Sequence, residues 1–156
     1  MKFIVHTDGG ARGNPGPAAV GVVIKMLNDK CQMPNEKQKT IEISKRIGET
    51  TNNVAEYSAV LEALRNLKSQ ITMTNEMAKE KNIIHFCLDS NLVVQQLNGV
   101  FKVKDPNLRK LFFDVRMLEH EVGGAVTYTY VPREQNRRAD YLVNQALDGA
   151  PHVSLL

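Results

Sequence analysis

The sequence predicts an α/β fold: a five-stranded mixed sheet, three antiparallel strands followed by βα units, with helices on both faces. Three observations predict it. Apolar, largely β-branched runs occupy residues 2–8, 18–26, 40–47, 83–88 and 126–131, and such runs suit a pleated, half-buried surface. Apolar residues at helical spacing, such as Val54, Tyr57, Leu61, Leu64 and Leu67, separate the later runs. The first three strands have only turn signals between them, which favours antiparallel pairing. The last two are reached through helices, as parallel crossovers require.

Each element has a local reason. Residues 2–8 carry Phe3-Ile4-Val5 and read as the first strand. Residues 9–17 are a Gly/Pro-rich loop with an Asn-Pro-Gly-Pro turn signal. Residues 18–26 contain Val20-Gly21-Val22-Val23-Ile24, a second strand, and the polar residues 27–39 connect it to a third over 40–47. Thr50-Thr51-Asn52-Asn53 introduces the first long helix. Ile83-Ile84-His85-Phe86-Cys87-Leu88 is continuously apolar, which suggests a strand covered on both faces in a parallel pairing. Ser90 caps a short helix through Leu97. Asp105-Pro106 is a cap followed by a first-turn proline, opening a helix with Leu108, Leu111, Phe112, Val115 and Leu118. Residues 126–131 form the last strand, and Ala139, Leu142, Val143, Ala146 and Leu147 mark the last helix. One domain over residues 1–148 is expected, with 149–156 as a short tail that packs as an extension or stays loose.

Composition bounds the function. With 156 residues, 42% hydrophobic and 24% charged, the chain suits one folded soluble domain. No run is long and apolar enough to span a membrane, so no membrane partner is expected. The N-terminus turns polar too early for a signal peptide, which places the protein in the cytoplasm as an expectation. Cys31 and Cys87 form no Cys-x-x-Cys pair, so a cysteine zinc site is not expected; Cys87 reads as a small core residue. A net charge of +3 tolerates a polyanionic partner without requiring one. With no tryptophan and 6% aromatic residues, the chain is no base-stacking platform.

The chemistry lies in four acidic residues. Asp8 and Asp89 end apolar strands, Glu56 sits in the first turn of the first long helix, and Asp140 near the start of the last. Each has a plainer reading. Asp8 could sit in an ordinary polar turn, Glu56 could form a capping box with Asn53, Asp89 could help Ser90 start its helix, and Asp140 could favour a helix N-terminus or pair with Arg137 and Arg138. All four on elements that one sheet brings together are harder to dismiss. Converging carboxylates repel and resist ionising unless a cation neutralises them. Hard oxygen ligands select Mg²⁺ or Mn²⁺. Two such ions about 4 Å apart activate a water and stabilise the leaving oxygen of a phosphodiester.

These residues resemble the type 1 ribonuclease H family across nearly the whole chain. The matching motifs are Thr7-Asp8-Gly9-Gly10 with Gly13-Asn14-Pro15-Gly16-Pro17, Thr51-Asn52-Asn53-Val54-Ala55-Glu56, Leu88-Asp89-Ser90 and Arg138-Ala139-Asp140. Four motifs in the right order make the signal specific. The resemblance implies the ribonuclease H-like fold and hydrolysis of the RNA strand of RNA–DNA hybrids by a two-metal-ion mechanism, leaving 5′-phosphate and 3′-hydroxyl ends. It implies Asp8, Glu56, Asp89 and Asp140 as catalytic metal ligands, with Mg²⁺ or Mn²⁺ as cofactor, two ions per site when substrate is bound. It implies substrate contacts at Gly9, Gly10, Asn14, Thr51, Asn52, Asn53, Ser90 and Asn91. Thr51 matches a pocket for a DNA-strand phosphate, and the asparagine amides can read a 2′-hydroxyl and base edges in a shallow minor groove.

Two departures from the family pattern stand out. The loop Val131-Pro132-Arg133-Glu134-Gln135-Asn136 lacks the histidine many members carry; Arg133 takes a comparable place, as in a histidine-lacking branch. Arginine stays protonated and cannot be a general base, but it can hold a phosphate or assist product departure. Members without the histidine suggest cleavage of double-stranded RNA as a side activity. The segment 98–104 carries only Lys102 and Lys104 where some members have a long basic protrusion. A monomer is expected. The rival readings are a junction resolvase or proofreading exonuclease on the same fold, and an inactive nucleic-acid-binding module. The exonuclease pattern Asp-x-Glu is broken by Gly10, and an inactive module would have lost a carboxylate.

Overall fold

The sheet is organised by alternation along its first strand. In β1 (Lys2–Ala11), Phe3, Val5 and Thr7 are buried toward one face and Asp8 lies on the other. The computed structural model describes residues 1–27, 38–74, 82–149 and 152–155. β1 pairs antiparallel with β2 (Gly16–Leu27), and β2 with β3 (Thr40–Thr50). α1 (Asn52–Thr74) then crosses to β4 (Ile83–Leu88), which pairs parallel with β1. α2 (Asn91–Leu97) and α3 (Pro106–Val122) lead to β5 (Ala125–Tyr130), parallel to β4. A 3₁₀ turn (Arg133–Gln135) and α4 (Arg137–Asp148) follow.

The five predicted strands and four helical segments are all present, and a sixth strand extends the sheet. β6 (His152–Leu155) pairs antiparallel with β3, giving the order β5-β4-β1-β2-β3-β6. The tail therefore packs as an extension of the sheet. The first hairpin also differs from its predicted boundaries. β1 runs through Gly9 and Gly10 to Ala11, and β2 begins at Gly16, so both glycines lie in a strand and not in a loop. The ladder pairs Gly9 with Val20, Gly10 with Ala19 and Ala11 with Ala18. The expected connection over 28–37 and Cys31 lie outside the described residues.

Helices cover both faces, but not evenly. α1 packs on β1 and β2 with α3 outside it, so Ala55, Tyr57, Ala59, Val60, Ala63, Leu64 and Leu67 are fully buried between sheet and helix. On the opposite face α4 lies over β1, β2 and β3. β4 is parallel-paired on both sides as expected, yet its coverage on the α4 side is incomplete, and Ile83 stays 49% exposed there. The caps are as the sequence predicts: Asp105 Oδ1 accepts from the N–H groups of Asn107 (2.8 Å) and Leu108 (3.0 Å), and Ser90 accepts from Val93. Cys87 is buried and free. Among the described residues no helix is long and apolar enough to cross a membrane.

Candidate active site

Register brings the first two carboxylates together. The parallel pairing of β1 with β4 ends at Thr7 opposite Leu88. The next residue on each strand is acidic, so Asp8 and Asp89 stand side by side at the carboxyl ends of parallel strands, where α/β sheets gather ligands.

Two glycines bring in the other two. A Cβ on Gly9 would lie 2.2 Å from the backbone of Ala55, so only glycine lets α1 approach closely enough to set Glu56 over β1. Gly21, which pairs with Asp8 across the hairpin, does the same for α4: a Cβ there would meet the Ala139 carbonyl at 2.1 Å. Glu56 lies just beyond the first turn of α1 and is not the capping-box partner of Asn53. The cap is Thr51, whose Oγ1 accepts from the Val54 N–H at 3.3 Å, and this frees Glu56 for the site.

Asp8, Glu56 and Asp89 each offer a carboxylate oxygen within 4.8 Å of the others. Asp140 stands outside that tight group but lines the same cavity as Asp8, near enough for its charge to act on it. Burial, then the neighbouring charges of Asp89 and Asp140, push Asp8 up to about 7. Burial followed by Asp8 and Asp89 raises Glu56 well above its ordinary range, even though the Gly9 N–H donates to it. Asp89 is raised by burial and Asp140, against opposing contributions from an Asn136 hydrogen bond and the Arg133 charge. Asp8 and Glu56 stand close enough to perturb each other, Asp8 adding to the rise of Glu56. Glu56 Oε2 is buried with no protein partner. Carboxyls raised by burial and by one another's charge, with an orphaned buried oxygen among them, are what a cation-binding cluster presents. The donor set, oxygen throughout, fits a hard divalent cation.

The expected substrate residues divide into three places. A cavity of about 300 Å³ is lined by Asp8, Gly9, Gly10, Asn52, Glu56, Arg133 and Asp140. A neighbouring cavity of about 660 Å³ is lined by Asn14, Thr51 and Asn53, together with Asn107 and Lys110 of α3. Ser90 and Asn91 begin α2, where Asn91 Oδ1 accepts from Gln95 at 3.3 Å. Asn14 and Asn52 also organise the backbone between the cavities: Asn14 Oδ1 accepts from the Asn52 N–H (3.0 Å), and Asn52 Oδ1 from the Ala11 N–H (2.8 Å).

Two residues of the site carry no sequence signal. Gly21 reads as part of a β-branched strand, and Asn136 reads as an ordinary cap at the start of α4. The spacing of four between Asn136 and Asp140, one helical turn, is the only hint that the two share a face.

A family model described as reverse transcriptase-like matches residues 6–146. A bifunctional protein of Mycobacterium tuberculosis is 37% identical over 150 residues, 96% of this chain but 36% of its own length. The chain thus spans well under half of the mycobacterial relatives it matches. A ribonuclease H of Clostridium botulinum is 32% identical over 151 residues, covering 94% of this chain and 96% of its own. The crystal structure of LC11-RNase H1 in complex with an RNA/DNA hybrid, a protein isolated from compost, has 40% identity and a TM-score of 0.74, covering 94% of this chain and 96% of that one.

Proposed function

Because the chain belongs to the type 1 ribonuclease H family, we propose that it is an endoribonuclease that hydrolyses the RNA strand of RNA–DNA hybrids, leaving 5′-phosphate and 3′-hydroxyl ends. The observation that carries this is the set of Asp8, Glu56 and Asp89 oxygens within 4.8 Å of one another. The hybrid held by the compost relative supports the substrate class.

Asp8, Glu56 and Asp89 would hold divalent cations, Mg²⁺ or Mn²⁺, with Asp140 completing the set for a second ion. Two bound cations supply activation of water and neutralisation of charge on the leaving oxygen. The chain's own residues do the rest. The Gly9 N–H orients Glu56. Asn14 and Asn52 spend their carbonyl oxygens on backbone, which leaves their N–H₂ groups to donate to sugar and base edges. Thr51 and Asn53, with Lys110 across the neighbouring cavity, suit a phosphate of the DNA strand. Gly10, beside Asp8, leaves room for backbone approach, and Ser90 and Asn91 flank Asp89 on the sugar side. Arg133 borders the cavity and its charge acts on Asp89, which suits it to hold the scissile phosphate or the departing product. It stands in for the histidine of other members.

The proposed unit is the domain over residues 1–148, acting as a monomer in the cytoplasm, with double-stranded RNA as a side substrate. One assay tests the reading: labelled RNA–DNA, RNA–RNA and DNA–DNA duplexes and a four-way junction, each with Mg²⁺ and with Mn²⁺. Internal cuts in the RNA of the hybrid are expected. Cleavage of the junction or of duplex DNA in preference would replace it with the resolvase reading.

A further inference from the structure

We propose that Asn136 is a positioning residue of the cation centre: it ties the start of α4, which carries Asp140, to the end of β1 and so sets how far Asp140 stands from Asp8. The inference rests on the reading of the carboxylate cluster as a cation centre.

Asn136 is 1% exposed and occupies the N-cap position of α4. An asparagine there ordinarily turns its side-chain oxygen onto the N–H of the second or third helical residue. Asn136 makes no such bond. Its Nδ2 instead donates to the Thr7 carbonyl at 2.9 Å, the carbonyl just before Asp8. This orientation is dictated by its partner, because a swapped amide would set Oδ1 against the Thr7 oxygen, acceptor to acceptor. Oδ1 is left buried without a partner, which the fold tolerates here and which an amide free to choose would avoid.

The backbone of Asn136 adds two further ties. Its N–H donates to the Arg133 carbonyl at 3.0 Å, and its carbonyl accepts from the Asp140 N–H at 3.1 Å. One buried residue therefore connects the strand carrying Asp8, the turn carrying Arg133 and the helix carrying Asp140. Its Nδ2 and its backbone are held by protein groups, so it acts through the ligands. Partners of this kind typically govern metal affinity by about 10- to 100-fold.

Asn136→Ser tests this cleanly. Serine is itself a preferred N-cap, so the variant keeps the start of α4 while withdrawing the amide from Thr7. Asn136→Leu, of similar volume, removes the donor outright, and Leu67→Ala, a core truncation, serves as the stability control. Mn²⁺ affinity by calorimetry, thermal melting, and kcat and KM on the hybrid are measured for each. The expected result is an affinity for Mn²⁺ and a kcat both about tenfold lower in Asn136→Ser and Asn136→Leu, with KM within about threefold. Leu67→Ala should melt earlier yet keep its Mn²⁺ affinity. Wild-type Mn²⁺ affinity and kcat in folded Asn136→Ser overturn the clamp while leaving the hydrolase reading intact. Failure of the wild-type chain to cleave hybrid sinks that reading alone, because the Mn²⁺ comparison still tests the clamp.

Discussion

Replacing Asp8 with asparagine is expected to stabilise the metal-free protein at neutral pH while abolishing both cleavage and the response to cations. Burial and the neighbouring carboxylates push Asp8 up to about 7 from an ordinary 3.8. The folded value lies above the unfolded one, so the folded chain holds the proton more tightly. The stability this contributes is complete below about pH 4 and is lost as the pH rises through about 7. The gap, 7 minus 3.8, is roughly 3 units; at about 1.4 kcal/mol each, about 4 kcal/mol is the ceiling on what ionising Asp8 costs the fold. Asparagine has the same shape and never ionises. In a 156-residue chain each kcal/mol moves the melting temperature by about 2–4 °C, so Asp8→Asn should melt as much as about 16 °C above wild type at pH 8 with chelator. At pH 4 the two should nearly coincide. Millimolar Mn²⁺ should reverse the order, because only the wild type gains stability from the ion. Differential scanning calorimetry at pH 4, 6 and 8, with chelator and with Mn²⁺, reads all of this. An asparagine variant that melts below wild type at pH 8 in chelator, or that gains as much from Mn²⁺, would refute the account of a repelling, cation-seeking cluster.

Arg133→Ala should slow steady-state turnover while keeping measurable cleavage, with a pre-steady-state burst if product departure is what it assists; complete loss would give Arg133 a larger role. Gly21→Ala should displace α4, because its Cβ would meet the Ala139 carbonyl at 2.1 Å. Both hybrid cleavage and melting temperature should fall, and unchanged kinetics would show that Asp140 does not depend on this contact. Arg138→Ala leaves the Glu42 carboxylate, 3% exposed, without the guanidinium that pairs with both its oxygens. A loss of about 2–4 kcal/mol in urea unfolding is expected, and Glu42→Leu in the same chain should recover part of it.

Much of the architecture was legible because its signals are local. Asp105-Pro106 opens α3 by contacts within three residues, and Leu61, Leu64 and Leu67 declare the helix that buries them. The tail gave no such sign, since four residues become a strand only by meeting β3. Gly9 and Gly10 read as a loop because glycine, alone in sequence, cannot be told from glycine required by an approaching helix. The plainer reading of Glu56 as a capping-box partner failed for a similar reason: two residues of shift in the cap, from Asn53 to Thr51, turn the same carboxylate into a site residue.

The order of strands and helices and the identity of the four acids follow from the sequence by itself, because periodicity, caps and motifs are written in neighbouring residues. How those acids meet follows only from the tertiary structure. The Thr7–Leu88 register, the contacts of Gly9 with Ala55 and Gly21 with Ala139, and the reach of Asn136 to Thr7 join residues far apart along the chain. Short-range preferences cannot encode a distance between segments; packing sets it, and the repulsion that makes the site cation-seeking exists only once packing has brought the carboxylates together away from water.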